Sequence, residues 1–65
     1  MDKREISLAA QEAKAKLIEA RANGKSYDEL ISLASTYSDL VYKYQKIAFP
    51  KKAKKLSPSY ILRAL

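Results

Sequence analysis

Residues 26–50 form the stretch on which the prediction of the fold depends, SYDELISLASTYSDLVYKYQKIAFP. It opens on Ser26, and Glu29 follows three residues later. This spacing is a capping box, in which each side chain accepts a hydrogen bond from the other residue's backbone N–H. The stretch closes on Pro50, which disfavours helical backbone at the residue before it. Helical structure is therefore predicted between these two signals.

The middle of that stretch is compatible with two structures. Apolar residues alternate at intervals of three and four without a gap, as in one continuous helix packed in coiled-coil fashion: Tyr27, Leu30, Ala34, Tyr37, Val41, Tyr44 and Ala48. However, residues 35–39 read Ser-Thr-Tyr-Ser-Asp, and short polar side chains compete with the helix for backbone hydrogen bonds. We therefore predict a break there, with helices at 27–35 and 38–49. An uninterrupted helical hairpin is the alternative.

Helices are predicted on both sides of this stretch as well. Apolar residues recur at helical spacing over residues 5–22, and Asn23-Gly24 marks the end of that helix. Ser57-Pro58 places a serine cap before a proline at the first helical position, which predicts a last helix at 58–64. No segment shows a strand pattern.

The predicted fold is thus all-α: a small three- to four-helix domain, helix-turn-helix-like, with a dimeric helical bundle as its variant. Residues 1–49 form the helical domain in this interpretation. Residues 50–65 add a basic loop and a short apolar C-terminal helix.

Size and composition restrict what the chain can do. A domain of 65 residues buries only about 60% of the surface that its unfolded chain exposes, so it usually needs a staple or a partner. The chain has no cysteine and no histidine, which removes disulfides, the usual zinc ligands, the commonest general base and the thiol nucleophile. We expect no enzyme activity, no cofactor and no metal. We also expect a homodimer held by Ile61, Leu62 and Leu65.

No targeting segment is apparent in the sequence. The first five residues are MDKRE, and no apolar run approaches the 20 or so residues of a membrane span. We therefore expect a cytoplasmic protein without a membrane span.

The charge is concentrated at one end of the chain. Residues 1–40 hold six Lys/Arg and seven Asp/Glu, whereas residues 41–65 hold seven Lys/Arg and no acid, which accounts for the net charge of +6. A solvated lysine tail is the simplest explanation. Positive charge placed entirely at one end favours instead an anionic partner.

Residues 15–45 resemble the helix-turn-helix of small bacterial, phage and plasmid DNA-binding proteins. The linker at residues 24–30, GKSYDEL, is similar to the start of the first motif helix, and residues 41–44, VYKY, are similar to the middle of a recognition helix. The resemblance covers about half of the chain. It departs from the family pattern in three places. This chain has Ile31 where the family usually has a small residue, Ser35 where it has a glycine, and Thr36 where it has an aliphatic residue.

The resemblance implies a recognition helix around residues 38–47 that lies in the major groove. The residues that would face the bases are Tyr37, Ser38, Asp39, Tyr42, Lys43 and Lys46, with Leu40, Val41 and Tyr44 toward the core. The residues that would hold phosphates, which adds affinity without sequence information, are Lys25, Lys51, Lys52, Lys54 and Lys55. The implied function is regulation of transcription, or of replication and maintenance of a mobile element. Double-stranded DNA is the favoured partner and RNA the alternative.

The competing interpretation is a helical hairpin that dimerises and binds a protein or RNA partner. Residues 35–39 distinguish the two interpretations. A break there favours DNA reading, and a continuous helix favours the hairpin.

Overall fold

Three helices make up the fold in the computed structural model, which describes residues 2–65. They are α1 (Lys3–Ala22), α2 (Tyr27–Ala48) and α3 (Pro58–Ala64). The described residues contain no strand, so the predicted all-α class is confirmed. The first and last helices lie where the sequence places them, except that α1 begins two residues early.

Each helix begins at a side chain that caps its first turn. The Ser26 hydroxyl accepts a hydrogen bond from the Glu29 N–H at 3.3 Å, and the Ser57 hydroxyl accepts one from the Tyr60 N–H at 3.2 Å. At α1 the Asp2 carboxylate has this role. These bonds satisfy N–H groups that have no partner within their own helix.

The break predicted at residues 35–39 is wrong, because α2 is one uninterrupted helix of 22 residues. The predicted helices 27–35 and 38–49 are parts of it. The Thr36 hydroxyl donates to the Ser32 carbonyl oxygen one turn back, at 3.3 Å, and this bond leaves the helix intact. The Ser38 hydroxyl donates to the Leu56 carbonyl oxygen on another segment. Thr36 and Ser38 therefore find partners without ending the helix.

The core joins one residue from each helix. Leu17, Ala34 and Ile61 are buried in mutual contact, and the small alanine permits close approach of the other two elements. Five half-buried side chains pack around them: Leu30, Leu33, Tyr37, Leu62 and Leu65. The core therefore lies toward the α1–α2 turn, where α3 covers the antiparallel hairpin.

The opposite end of the hairpin is thinner. α3 has only seven residues, so the chain between Phe49 and Ser57 covers that end without forming a helix. The molecule measures 35 × 20 × 15 Å. Its surface of 4826 Å² exceeds the roughly 4,200 Å² typical of a monomer of this mass. Within residues 2–65, no helix has both the length and the apolar character that crossing a membrane requires.

Candidate nucleic-acid interface

The lysine-rich segment, residues 49–57, is fixed against α2 at both of its ends. It leaves the helix through a turn in which the Lys52 N–H donates to the Phe49 carbonyl oxygen at 2.9 Å. At its far end the hydroxyl of Ser38, only 2% exposed, donates to the carbonyl oxygen of Leu56. Breaking this bond would leave a buried polar group without a partner, so it holds the segment in place.

Two further contacts fix the segment between its ends. The Gln45 Oε1 accepts a hydrogen bond from the Lys54 N–H at 3.0 Å, and the Lys55 Nζ lies 2.7 Å from the Asp39 Oδ1. The side chains of Lys55 and Asp39 are about half exposed, so their ion pair adds only about 0–1 kcal/mol to the stability of the fold. Its consequence is positional, because it directs one lysine toward the outer face of α2.

That outer face carries two more lysines. Asp39, Lys43 and Lys46 follow the i, i+4, i+7 spacing of one helical face. The Lys46 Nζ lies 5.5 Å from the ring centroid of Tyr42, within the range of a cation–π contact. The helix and the segment together form what we call the basic surface, whose exposed members are Lys43, Lys46, Lys51, Lys52, Lys54 and Lys55.

The structure brings together four of the six residues predicted to face bases. Asp39, Tyr42, Lys43 and Lys46 share the outer face of α2, whereas the other two lie elsewhere. Ser38 is buried and its hydroxyl already donates within the chain, so it is not available to a base in this structure. The sixth residue, Tyr37, lines a groove between α1 and α2.

The predicted phosphate-binding residues fall into two places. Lys51, Lys52 and Lys54 are exposed on one segment, and Lys55 beside them shares its charge with an acid. Lys25 precedes α2, at the end of the helix opposite the segment's start. Because 22 helical residues span about 33 Å, Lys25 does not belong to the basic surface.

The residues predicted to hold a dimer take part in the fold of the single chain. Ile61 is 4% exposed and packs within the core of the single chain, so a role for it in a dimer stays a prediction. Leu62 and Leu65 are half-buried against the same core, and their role in a dimer stays a prediction. The sequence did not indicate why α3 docks so firmly: the Arg21 guanidinium donates to the main-chain oxygens of Leu62 at 3.0 Å and Leu65 at 2.8 Å.

An open apolar groove borders the basic surface on its α1 side. Its floor is formed by Tyr37, Val41 and Tyr44, and its α1 wall includes Ala10 and Lys14. Val41 and Tyr44 were predicted to face the core, but they are only half-buried, because the short α3 does not extend over them.

The groove continues into a pocket of about 440 Å³ at the end of α2, within the size range of ligand sites. Its lining consists of Val41, Tyr44, Gln45, Phe49 and Lys52. The Phe49 ring is 56% exposed. This pocket was not predicted from the sequence. The signal that could have indicated it is a large aromatic residue between the end of a helix and a lysine cluster.

The chemistry of this region is that of ammonium groups, aromatic rings and one amide, which bind phosphates and stack on bases. Among residues 2–65 no group of acidic side chains is arranged to hold a metal ion. Comparison with protein-family models, curated proteins and solved structures gives no match.

Proposed function

We propose that the chain is a small nucleic-acid-binding module that holds the phosphate backbone with its basic surface. The observation that carries the proposal is the anchoring of the lysine-rich segment on α2 through Ser38, Gln45 and Asp39. A free lysine tail would lose much conformational entropy on binding. A segment whose path is already fixed loses less, so its lysines contribute more to affinity.

The mechanism is electrostatic and needs no base contact. Lysines that neutralise phosphates release condensed counterions, so affinity falls steeply as salt rises. Lys43 and Lys46 extend the contact from the segment onto the outer face of α2. Two of the residues predicted to read bases lie away from that face, because Ser38 is buried and Tyr37 lines the groove. Backbone contacts therefore supply most of the affinity in this proposal.

A regulatory role, in transcription or in maintenance of a mobile element, needs sequence preference in addition. That part of the proposal rests only on the resemblance of residues 24–30 and 41–44 to helix-turn-helix sequences, because the turn of that motif is absent from the continuous α2. Binding to a fragment from near the protein's own gene, compared with random duplex of equal length, tests it. A regulator should prefer the first by at least tenfold, and equal affinities would leave a non-specific binder.

The general proposal is tested by the salt dependence of binding of two charge-matched variants. One variant replaces Lys51 and Lys54 with alanine. The control replaces Lys16 and Lys25, so that both variants have a net charge of +4 in place of +6. Affinity is measured by fluorescence anisotropy on labelled duplex and single-stranded oligonucleotides at several salt concentrations.

We expect the Lys51/Lys54 variant to flatten the plot of log K against log salt. Each lost phosphate contact removes a slope of about 0.9 on duplex and about 0.7 on a single strand, so two contacts remove about 1.4–1.8. The Lys16/Lys25 control should change the slope by much less. Equal effects of the two variants would show that net charge matters and the basic surface does not. No binding by the wild type would refute the proposal.

A second candidate function, a dimeric hairpin that binds a protein, is favoured by two observations. α2 is continuous, and the groove over Tyr37, Val41 and Tyr44 is left uncovered, as in a hairpin that completes its core with a partner. Sedimentation equilibrium at tens of micromolar distinguishes the candidates. A dimer that does not bind nucleic acid would favour the second.

A further inference from the structure

We propose that the pocket at the end of α2 holds one unpaired base of a single-stranded nucleic acid, stacked on Phe49. This inference rests on the proposed function and assigns its substrate class. The pocket adjoins the basic surface directly, because Lys52 belongs to both. A polyanion that contacts Lys52 on the basic surface therefore lies beside the pocket.

The rings in this pocket are suited to stacking. Phe49 follows the last residue of α2, and its N–H donates to the Gln45 carbonyl oxygen at 2.6 Å, which fixes its backbone. Its side chain nevertheless remains 56% exposed. Tyr44 and Val41 supply a further apolar surface beside it. An exposed ring on a fixed backbone stacks on a base at little entropic cost, and the stacking tolerates any base.

The polar groups of the pocket fit a nucleotide rather than an apolar side chain. The Gln45 Oε1 is engaged by the Lys54 N–H, so its amide nitrogen is turned away from that bond. Among residues 2–65 that nitrogen has no hydrogen-bond partner, which leaves N–H donors for the acceptor atoms on a base edge. Lys52 then lies where the phosphate of the same nucleotide would be neutralised.

A single strand is the form that this arrangement selects. In a duplex both faces of each base are already covered by neighbouring base pairs, so a base enters a pocket only after costly unstacking. An unpaired base offers its face directly. The groove toward Tyr37 and Val41 continues from the pocket, which gives the strand's next base an apolar surface to lie on.

The first experiment compares Phe49→Ala with Ile47→Ala, measured on an oligothymidine and on a duplex. Ile47 is a matched control, since it is 51% exposed, lies two residues away and does not line the pocket. We expect Phe49→Ala to weaken single-strand binding about tenfold, as for loss of one base–aromatic stack, and duplex binding less than twofold. Ile47→Ala should change neither.

The second experiment detects the stack directly. The chain has no tryptophan, so Phe49→Trp introduces a single reporter that can be excited separately from the tyrosines. Oligothymidine should quench its fluorescence, while the control Ile47→Trp should keep its intensity. Absence of quenching in Phe49→Trp overturns the inference, even if Phe49→Ala lowers affinity for another reason.

The outcomes separate this inference from the proposed function. If Phe49→Ala binds a single strand as the wild type does, while replacement of Lys51 and Lys54 weakens binding, the backbone proposal stands and the stacking inference is wrong. If the wild type binds neither form, both are wrong. Selective loss of single-strand binding in Phe49→Ala, together with quenching in Phe49→Trp, supports both.

Discussion

Removing the hydroxyl of Ser38 should loosen the lysine-rich segment without changing any charge. Ser38 is 2% exposed and donates to the Leu56 carbonyl oxygen. Losing this part-buried bond and leaving the Leu56 carbonyl oxygen without its donor costs about 1–3 kcal/mol. Alanine recovers up to about 0.5 kcal/mol through its higher helix propensity. The expected net loss for Ser38→Ala is therefore about 1.5 kcal/mol in the free energy of unfolding.

Thermal unfolding followed by circular dichroism measures this loss. For a domain of 60–100 residues, each kcal/mol lowers Tm by about 4–8 °C, so Ser38→Ala should lower it by about 6–12 °C. The matched control is Ser32→Ala, at an exposed position of the same helix. That variant should be neutral or slightly stabilised, because only the propensity term applies.

Hydrogen exchange shows whether the effect is located where the structure places it. The Lys54 N–H donates to Gln45 within the segment, and it should exchange faster in Ser38→Ala than in Ser32→Ala. A Tm loss in Ser38→Ala no greater than in Ser32→Ala would refute the anchoring of the segment. An unchanged exchange rate at Lys54 would refute it independently.

Three further variants test the core, the docking of α3 and the basic surface. Leu17→Ala removes a fully buried side chain and should cost about 2–5 kcal/mol, seen as loss of the folded baseline in a urea titration. Arg21→Ala loses two donations to the end of α3. Amides of α3 should then exchange faster while those of α1 and α2 change little. Asp39→Asn removes a surface ion pair, so stability should change by less than about 1 kcal/mol. Its affinity for nucleic acid should rise because Lys55 is released; weaker binding would indicate instead that the Asp39 carboxylate contacts a base.

Local signals were sufficient to predict most of the helix ends. The helix starts depend on short-range pairs, Ser26 with Glu29 and Ser57 with Pro58. The residues of each pair lie within three positions of each other, so a short stretch of sequence is enough to predict where the helix begins. The break at residues 35–39 was predicted from the same kind of local preference and was wrong. The bond from Ser38 to Leu56 joins residues 18 apart, and a partner at that distance cannot be predicted from the residues next to Ser38.

The candidate site could be predicted in composition but not in arrangement. The concentration of positive charge at one end of the sequence predicts that the lysines of residues 51–55 belong to the site. Their path along α2 depends on Gln45 and Asp39, whose partners lie on a segment without helical periodicity. The pocket at Phe49 depends on how far the short α3 extends over the hairpin. That follows from packing against Leu17 and Ala34 and is not encoded in any local pattern.

Binding of nucleic acid to the basic surface is tested by a map of amide chemical-shift changes, recorded as an oligonucleotide is added to the isotope-labelled protein. We expect the largest changes in residues 42–55, at the C-terminal half of α2 and along the lysine-rich segment. Residues 11–30, around the opposite end of the hairpin, should change little. Changes centred on the α1–α2 turn would contradict binding at the basic surface. So would the absence of any change at an oligonucleotide concentration of about 1 mM, where even non-specific binding would be nearly complete.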